Sequence, residues 1–215
     1  VSMCTMLYSL TLTIANVTLP QLQGAFSATP DQVSWIITLN IVATAVVTPV
    51  TGWFVARFGR RRVMLVSVLG FTLCTLLCAT ANSLGAMLAY RIGQGATGAP
   101  LVPLAQAIVV GTYAAKDRAR AQGIFGMAVV LGPAVAPVLG GYLAEEYNWR
   151  WVFWMLLPLC AMSLISVLLF IHDTEKLERV RLDWTGFLTL AIAVTCIQLV
   201  MDRGEQQDWF QSGEI

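Results

Sequence analysis

Residues 52–62 read Gly52-Trp-Phe-Val-Ala-Arg-Phe-Gly-Arg-Arg-Arg62 and carry four arginines between two long apolar runs. The flanking runs cover residues 35–55 and 63–81, each close to the roughly 20 apolar residues that a helix needs to cross a bilayer. In a soluble protein this cluster would indicate nucleic-acid binding, but a basic turn between two spans is typical of the cytoplasmic side of a membrane protein. Gly52 and Gly59 predict a tight reversal in which the two helix ends pack closely.

The composition excludes a conventional soluble domain. The 215 residues are 57% hydrophobic and 12% charged, whereas soluble domains carry about 25% charged residues. The net charge of +1 argues against nucleic acid as a partner. The five cysteines lie in apolar runs and the single histidine lies in a polar loop, so we predict no metal site, disulfide framework or cofactor. The chain starts with valine and stops on a polar stretch, which suggests a piece of a longer protein.

Seven apolar runs can be drawn along the chain, joined by short polar turns. They cover about residues 2–22, 33–55, 63–81, 84–112, 121–143, 151–171 and 185–201. Because backbone groups inside a bilayer must be hydrogen-bonded within their own segment, each run is predicted to be a helix. The predicted fold class is therefore all-α, a polytopic membrane helix bundle.

The basic residues are concentrated in alternate turns. Ten of the 13 lysines and arginines fall in the turns after the second, fourth and sixth runs: Arg57, Arg60, Arg61, Arg62, Lys116, Arg118, Arg120, Lys176, Arg179 and Arg181. Loops rich in lysine and arginine stay on the cytoplasmic side of a membrane. We therefore predict that these turns and the N-terminus are cytoplasmic and that the other turns are external.

One arginine lies inside an apolar run. Arg91 and the following Gln94, Gly95 and Gly98 share one face of the fourth helix. An arginine at this depth should face protein or a water-filled cavity, and the alternative is that it snorkels to the outer interface. Residues 93–98 also match G-x-G-x-x-G, but a nucleotide site needs a strand before the glycines, and here they lie within an apolar helix.

The fifth run has small residues at every fourth position. It carries the pairs Gly132-Pro133, Ala136-Pro137 and Gly140-Gly141. The small residues predict a flat stripe against which a neighbouring helix can pack, and each proline removes one intrahelical hydrogen bond. Two interpretations overlap: a bent helix with close packing only, or a hinge and seal between transport states.

The first run carries Thr11, Thr13, Asn16 and Thr18, of which Asn16 is the best candidate for a cavity-facing group. Membrane threonines commonly bond to their own helix backbone, so the remaining polar residues are interpreted as structural. No carboxylate lies inside the first six runs, and Asp31 lies at the outer start of the second run as a candidate helix cap.

At this point the chain resembles the N-terminal half of a major facilitator superfamily transporter. The basic turn resembles the signature G-x-L-A-D-R-x-G-R-R, and residues 91–95 resemble R-x-x-Q-G. Residues 132–141 resemble the antiporter signature G-P-x-x-G-P-x-x-G-G, and residues 13–20 resemble T-I-A-N-V-A-L-P. Residues 148–153 and 202–210 match further features of the fourteen-helix drug:proton antiporters of the EmrB/QacA type.

The resemblance implies a major facilitator fold and a multidrug exporter of the bacterial inner membrane that exchanges small amphipathic or lipophilic substrates for protons. It implies a six-helix bundle at 1–171, a cytoplasmic loop at 172–184, and a seventh, linker helix with the start of an external loop at 185–215. Similar proteins pass substrate to a periplasmic adaptor and an outer-membrane channel. The alternatives are a same-fold transporter of a specific metabolite or lipid, and a truncated membrane protein that does not transport. An enzyme is not predicted, because no nucleophile, base and orienting group converge.

The resemblance also assigns roles to three groups of residues. The substrate cavity is assigned Asn16, Arg91 and Gln94. The cytoplasmic latch is assigned Gly52, Arg57, Gly59, Arg60 and Arg61. The hinge is assigned Gly132, Pro133, Pro137, Gly140 and Gly141. Three positions depart from the pattern: Ala56 replaces the acidic residue of the basic turn, Ala136 replaces a glycine, and Thr11 replaces the usual aspartate, so the proton-carrying group is not identified.

Overall fold

The computed structural model describes residues 1–171 and 182–204. Three basic residues predicted to be cytoplasmic, Lys176, Arg179 and Arg181, lie outside the described residues, as does the segment after Gly204. Of the predicted loop at 172–184, the structure describes only residues 182–184. The external loop predicted after the seventh helix is not described beyond Gly204. Within the described ranges the regular structure is entirely helical.

Among the described residues six helical segments are long and apolar enough to cross a membrane, or seven when one bent pair is counted as a single span, which equals the number of apolar runs. Span 1 comprises α1 (Ser2–Val17) and α2 (Leu19–Phe26); span 2 comprises α3 (Pro30–Val47), a 3₁₀ turn (Thr48–Val50) and α4 (Thr51–Phe58); span 3 is α5 (Arg60–Ala79); span 4 comprises α6 (Leu84–Gly98) and α7 (Leu101–Thr112); span 5 is α8 (Ala115–Glu146); span 6 is α9 (Trp149–Phe170); span 7 is α10 (Trp184–Arg203).

Three spans are interrupted where the sequence predicted continuous runs. Span 1 bends by 58° between α1 and α2, with Pro20 in the first turn of α2. Spans 2 and 4 are interrupted at Pro49 and at Pro100. A proline ring lacks an N–H donor and clashes with the carbonyl one turn earlier, so each break coincides with a lost helical hydrogen bond.

Polar caps fix where four spans begin. Thr29 and Gln32 form a reciprocal capping box at the start of α3, and Ser83 accepts from the N–H of Ala86 at α6. Asn148 accepts from the N–H of Arg150 at α9. At α10, hydrogen bonds from the Gly186 N–H and the Thr185 hydroxyl lower the pKa of the Asp183 carboxyl. Such caps satisfy the N–H groups that a helix start leaves free.

The bundle core lies where spans 1 to 6 meet. The most extensive contacts join α1 to α8, α3 to α6, and α5 to both α6 and α9, while α10 packs on α3. Leu7, Ile14 and Phe153 are completely or almost completely buried between these helices. The outer side of α5 is apolar and exposed, with Val66 67% and Leu69 51% accessible. Such a surface suits contact with lipid tails rather than water.

The basic turns lie together at one end of the bundle. Arg61 Nη2 donates to the carbonyl of Leu168 at 3.2 Å, and Arg60 Nη1 lies 3.4 Å from the position of a Cβ on Gly111. The basic turns after spans 2 and 4 and the end of span 6 therefore meet at one end, called the basic end below. At the opposite end Arg150 Nη2 donates to the carbonyl of Ala81 at 2.8 Å.

Candidate functional site

Arg91 is buried inside the bundle. Its side chain is 0% exposed on α6. Nε donates to the carbonyl of Ile36 at 3.2 Å, and Nη1 donates to Oε1 of Gln94. Nη2 has no hydrogen-bond partner among the described residues. Arg91 therefore faces protein, as one of the two alternatives predicted, and does not snorkel to the interface.

A chain of polar groups extends from Arg91 to the neighbouring spans. Gln94 Nε2 donates to the hydroxyl of Thr75 at 2.7 Å, and this hydroxyl donates to the carbonyl of Phe71 at 2.7 Å. Asn40 Nδ2 donates to the Arg91 carbonyl at 2.8 Å, while its Oδ1 has no partner among the described residues. The network, formed by Arg91, Gln94, Asn40 and Thr75, links spans 2, 3 and 4. A buried charge held by amides and carbonyls is costly without its counter-ion, and it attracts an anion or a water molecule.

Two glycines of α6 bring the helices close enough for this network. A Cβ on Gly95 would lie 2.3 Å from the backbone oxygen of Asn40, and one on Gly98 would lie 2.8 Å from the ring of Tyr8. The Thr44 hydroxyl accepts from the Tyr8 hydroxyl at 3.1 Å, and its single proton is shared between the carbonyls of Asn40 at 2.9 Å and Gly95 at 3.1 Å. The predicted close helix contact at these glycines is therefore present.

The three residues predicted to line a substrate cavity do not lie together on an open surface. Arg91 and Gln94 are both 0% exposed. Asn16 is exposed on α1, where its Nδ2 donates to the carbonyl of Leu12 at 3.4 Å. A side chain without exposed area cannot form a cavity wall, so the prediction is corrected for Arg91 and Gln94. They form a polar network between helices, and Asn16 alone faces an open surface.

The small-residue stripe of α8 packs against α1. A Cβ on Gly132 would lie 2.8 Å from the carbonyl oxygen of Met6, and one on Gly140 would lie 2.6 Å from Cγ1 of Ile14. Ala136 between them is 0% exposed. The two helices are therefore in close contact over more than two turns, as the stripe predicted.

The rest of the predicted hinge lies beside this interface. Pro133 and Pro137 both lie inside α8, which remains helical through them. Pro133 is half-buried and Pro137 is exposed, so the prolines do not contribute to the buried stripe. A Cβ on Gly141 would meet only Val17, at 4.0 Å. Gly141 is thus not required to be small in this structure.

The basic turn depends on one glycine rather than two. Gly59 adopts φ 85°, a left-handed conformation that strongly favours glycine, and its N–H donates to the Val55 carbonyl at 2.9 Å. Gly52 lies in the first turn of α4, is exposed, and has open space where a Cβ would stand. The prediction that Gly52 serves the tight reversal is therefore wrong. Arg57 is exposed, and Arg61 connects the turn to span 6.

The comparison with protein families agrees with this arrangement of spans and motifs. The family model of the Major Facilitator Superfamily matches residues 1–203. This chain belongs to the Major Facilitator Superfamily. Multidrug export protein EmrB of Haemophilus influenzae is 36% identical over 216 residues, which cover 100% of this chain and 42% of that protein. Fatty acid resistance protein FarB of Neisseria gonorrhoeae is 33% identical over 204 residues, covering 94% of this chain and 40% of that protein.

Solved structures agree on the fold of this facilitator chain. A crystal structure of the peptide transporter POT in complex with sulfate superposes with a TM-score of 0.73 and 15% identity, covering 97% of this chain and 46% of that one. At this identity the likeness concerns the fold alone. The chain spans about two fifths of the length of the curated relatives it matches.

Sequence reasoning missed one contact between the seventh span and the bundle. The Thr38 hydroxyl on α3 donates to the carboxylate of Asp202 near the end of α10, and it also lies 3.3 Å from the Ser34 carbonyl. No sequence signal relates two residues 164 positions apart, because each lies in a helix of ordinary membrane composition. In this facilitator chain α10 is thus fixed to α3 by a carboxylate.

Proposed function

We propose that this chain is the N-terminal part of a proton-coupled multidrug exporter of the bacterial inner membrane. Membership of the transporter superfamily and seven membrane-spanning helices support a multi-pass membrane transporter. The relatives that are named multidrug export proteins support drugs as substrates. In this proposal residues 1–171 are the first bundle, 172–184 are a cytoplasmic loop, and 185–215 contain the linker span and the start of an external loop.

The interface of α1 and α8 carries the proposal. Alternating access in transporters of this architecture is largely rigid-body rocking of one bundle against the other. Such rocking needs helices that move as a unit, and α1 and α8 are in near-backbone contact at Gly132 and Gly140. Pro133 and Pro137, each one residue after a stripe position, remove a helical hydrogen bond from α8 beside this interface. We assign to this segment the hinge that opens the bundle without separating α8 from α1.

The orientation and the latch follow from the charge asymmetry. We place the basic end and the N-terminus in the cytoplasm, because basic turns are retained there. Gly59, Arg57, Arg60 and Arg61 form the latch, and the hydrogen bond from Arg61 to the carbonyl of Leu168 fixes the turn to span 6. Asn16 is the remaining candidate for a group that faces substrate.

The proton-carrying group is placed outside the first bundle. In the described part of spans 1 to 6, the carboxylates lie in the terminal turns of helices: Asp31, Asp117, Glu145 and Glu146. Thr11, where the family pattern has an aspartate, is 2% exposed and donates to the carbonyl of Leu7. A hydroxyl cannot carry a proton across a membrane near neutral pH, so the carboxylate is assigned to the part of the protein that follows these residues.

The test is substrate-induced proton release from vesicles containing the full-length transporter. We expect Gly140→Leu to abolish the signal, because leucine at this position forces α1 away from α8. Val138→Leu, on a residue that is 72% exposed, is the matched control and should retain it. Equal and mild effects of the two variants at equal protein levels would remove the support for the hinge. The absence of proton release in the unmodified protein would exclude proton coupling.

A transporter of lipid-like substrates is the second candidate. The gonococcal relative is named a fatty acid resistance protein, which favours this substrate class. A panel of cationic dyes and fatty acids in the same vesicles separates the two candidates by the substrates that release protons. We further propose a periplasmic adaptor and an outer-membrane channel as partners, which co-purification of the full-length protein after cross-linking in cells would test.

A further inference from the structure

A groove opens on the bundle surface near the basic end. It has a volume of about 550 Å³ and lies between spans 2, 3 and 4. Its walls are almost entirely apolar, with Phe54, Phe58, Val66 and Ala96 among the residues that line it. The hydroxyl of Thr97 is turned inward, where it donates to the carbonyl of Gly93 at 2.7 Å. The groove therefore offers an apolar cleft rather than a hydrogen-bonding site.

The length of the groove matches one leaflet of a bilayer. Its lining on span 2 runs from Phe58 to Val47, which corresponds to about 16 Å at the rise of a helix. Half of the hydrocarbon core of a bilayer is about 15 Å thick. The groove therefore extends from the basic end to near the membrane centre, and its depth suits a single extended acyl chain.

Positive charge is concentrated where the groove meets the basic end. Arg62 lines the groove and is exposed. It belongs to the segment 52–62, which holds four arginines and no acidic residue because Ala56 occupies the place of the family's carboxylate. Guanidinium groups bind phosphate oxygens in a bidentate geometry. Basic pockets between membrane helices are suited to anionic lipid head groups.

We propose that this groove binds an anionic phospholipid of the leaflet at the basic end. One acyl chain lies between Phe54 and Val66, and the phosphate lies at Arg62. The apolar walls disfavour a free phosphate ion, and the arginines of residues 52–62, a segment without an acidic residue, favour an anionic over a zwitterionic head group. The proposal does not depend on which substrate the protein carries.

Native mass spectrometry of the full-length chain from nanodiscs tests the proposal. The nanodiscs contain equal amounts of phosphatidylglycerol and phosphatidylcholine, and the lipid retained after transfer to detergent is counted. Arg62→Gln should lower phosphatidylglycerol retention about fivefold, as expected for loss of one arginine at a membrane surface. Arg120→Gln, which removes an exposed charge outside the groove, should leave it unchanged. Val66→Trp should also lower retention by filling the groove, whereas Leu69→Trp on the same helix should not.

Several outcomes would overturn the site. Equal losses in Arg62→Gln and Arg120→Gln would mean that only the overall charge attracts lipid. Equal retention of the two phospholipids would exclude recognition of an anionic head group. Unchanged retention in Val66→Trp, in a protein with normal thermal stability, would mean that another part of the chain covers the groove. The two exposed positions on α5 are chosen so that neither tryptophan enters the core.

Discussion

A single methyl group at Gly95 tests whether the contact of α3 with α6 holds the arginine network together. The Cβ of Gly95→Ala would lie 2.3 Å from the carbonyl oxygen of Asn40, whereas ordinary van der Waals contact begins at 3.4 Å. The oxygen belongs to the backbone and cannot rotate away. Closely packed interiors transmit such strain, so the two helices must separate locally by about 1 Å.

The cost of this separation follows from the bonds that cross it. The Thr44 hydroxyl shares its proton between the Gly95 carbonyl at 3.1 Å and the Asn40 carbonyl at 2.9 Å, and Asn40 Nδ2 donates to the Arg91 carbonyl at 2.8 Å. Overpacking a core costs about 1–3 kcal/mol, and each weakened hydrogen bond adds about 0.5–1.5 kcal/mol. We expect Gly95→Ala to lower the free energy of unfolding by about 2–6 kcal/mol.

Gly85 provides the matched control on the same helix. It is exposed in the first turn of α6, and a Cβ there has nothing within 4 Å. Gly85→Ala should be neutral or stabilising by up to about 1 kcal/mol, because alanine loses less backbone entropy than glycine in a helix. Unfolding of the full-length protein in mixed micelles, followed by tryptophan fluorescence, measures both variants. Equal stability of Gly95→Ala and Gly85→Ala would refute the close contact and the separation derived from it.

Three further predictions concern charge, topology and the seventh span. Arg91→Ala should abolish transport in vesicles at normal protein levels, and Arg91→Lys should restore it only in part because lysine lacks the planar donor fork; full activity of Arg91→Ala would make the network dispensable. A cysteine beside Arg118 should be labelled only from the cytoplasm and one at Gln23 only from outside, and reversed labelling would invert the proposed orientation. Thr38→Val should speed hydrogen exchange in α10 by removing the donor to Asp202; unchanged exchange would mean that apolar packing alone fixes this helix.

The sequence predicted the spans well because lipid leaves the backbone few choices. A segment of about 20 apolar residues in a bilayer must be helical, so run lengths give helix positions directly. The stripe at Gly132, Ala136 and Gly140 was equally readable, since residues four apart share one helix face. What the stripe could not reveal was its partner, and the structure identifies it as α1.

The direction in which buried polar groups point could not be read from the sequence. Periodicity places Arg91 and Gln94 on one face, but it does not distinguish a face that meets a cavity from one that meets another helix. The groups that decide this, Asn40 and Thr75, lie 51 residues before Arg91 and 19 residues before Gln94 respectively, in other spans. At Gly52 the family pattern led to a wrong prediction. The pattern includes a glycine there, but the local packing of this chain leaves open space where a Cβ would stand.

Span 2 contacts both the seventh span and the network around Arg91. Thr38 and Asn40 are two residues apart and therefore differ in direction by about 200° around the helix; the first contacts α10 and the second contacts α6. Helix α3 therefore contacts both α10 and the Arg91 carbonyl. The 3₁₀ turn at Thr48–Val50 separates this helix from the basic turn. Contact by itself is not coupling, and combining Thr38→Val with Arg91→Lys would reveal coupling as a non-additive loss of transport.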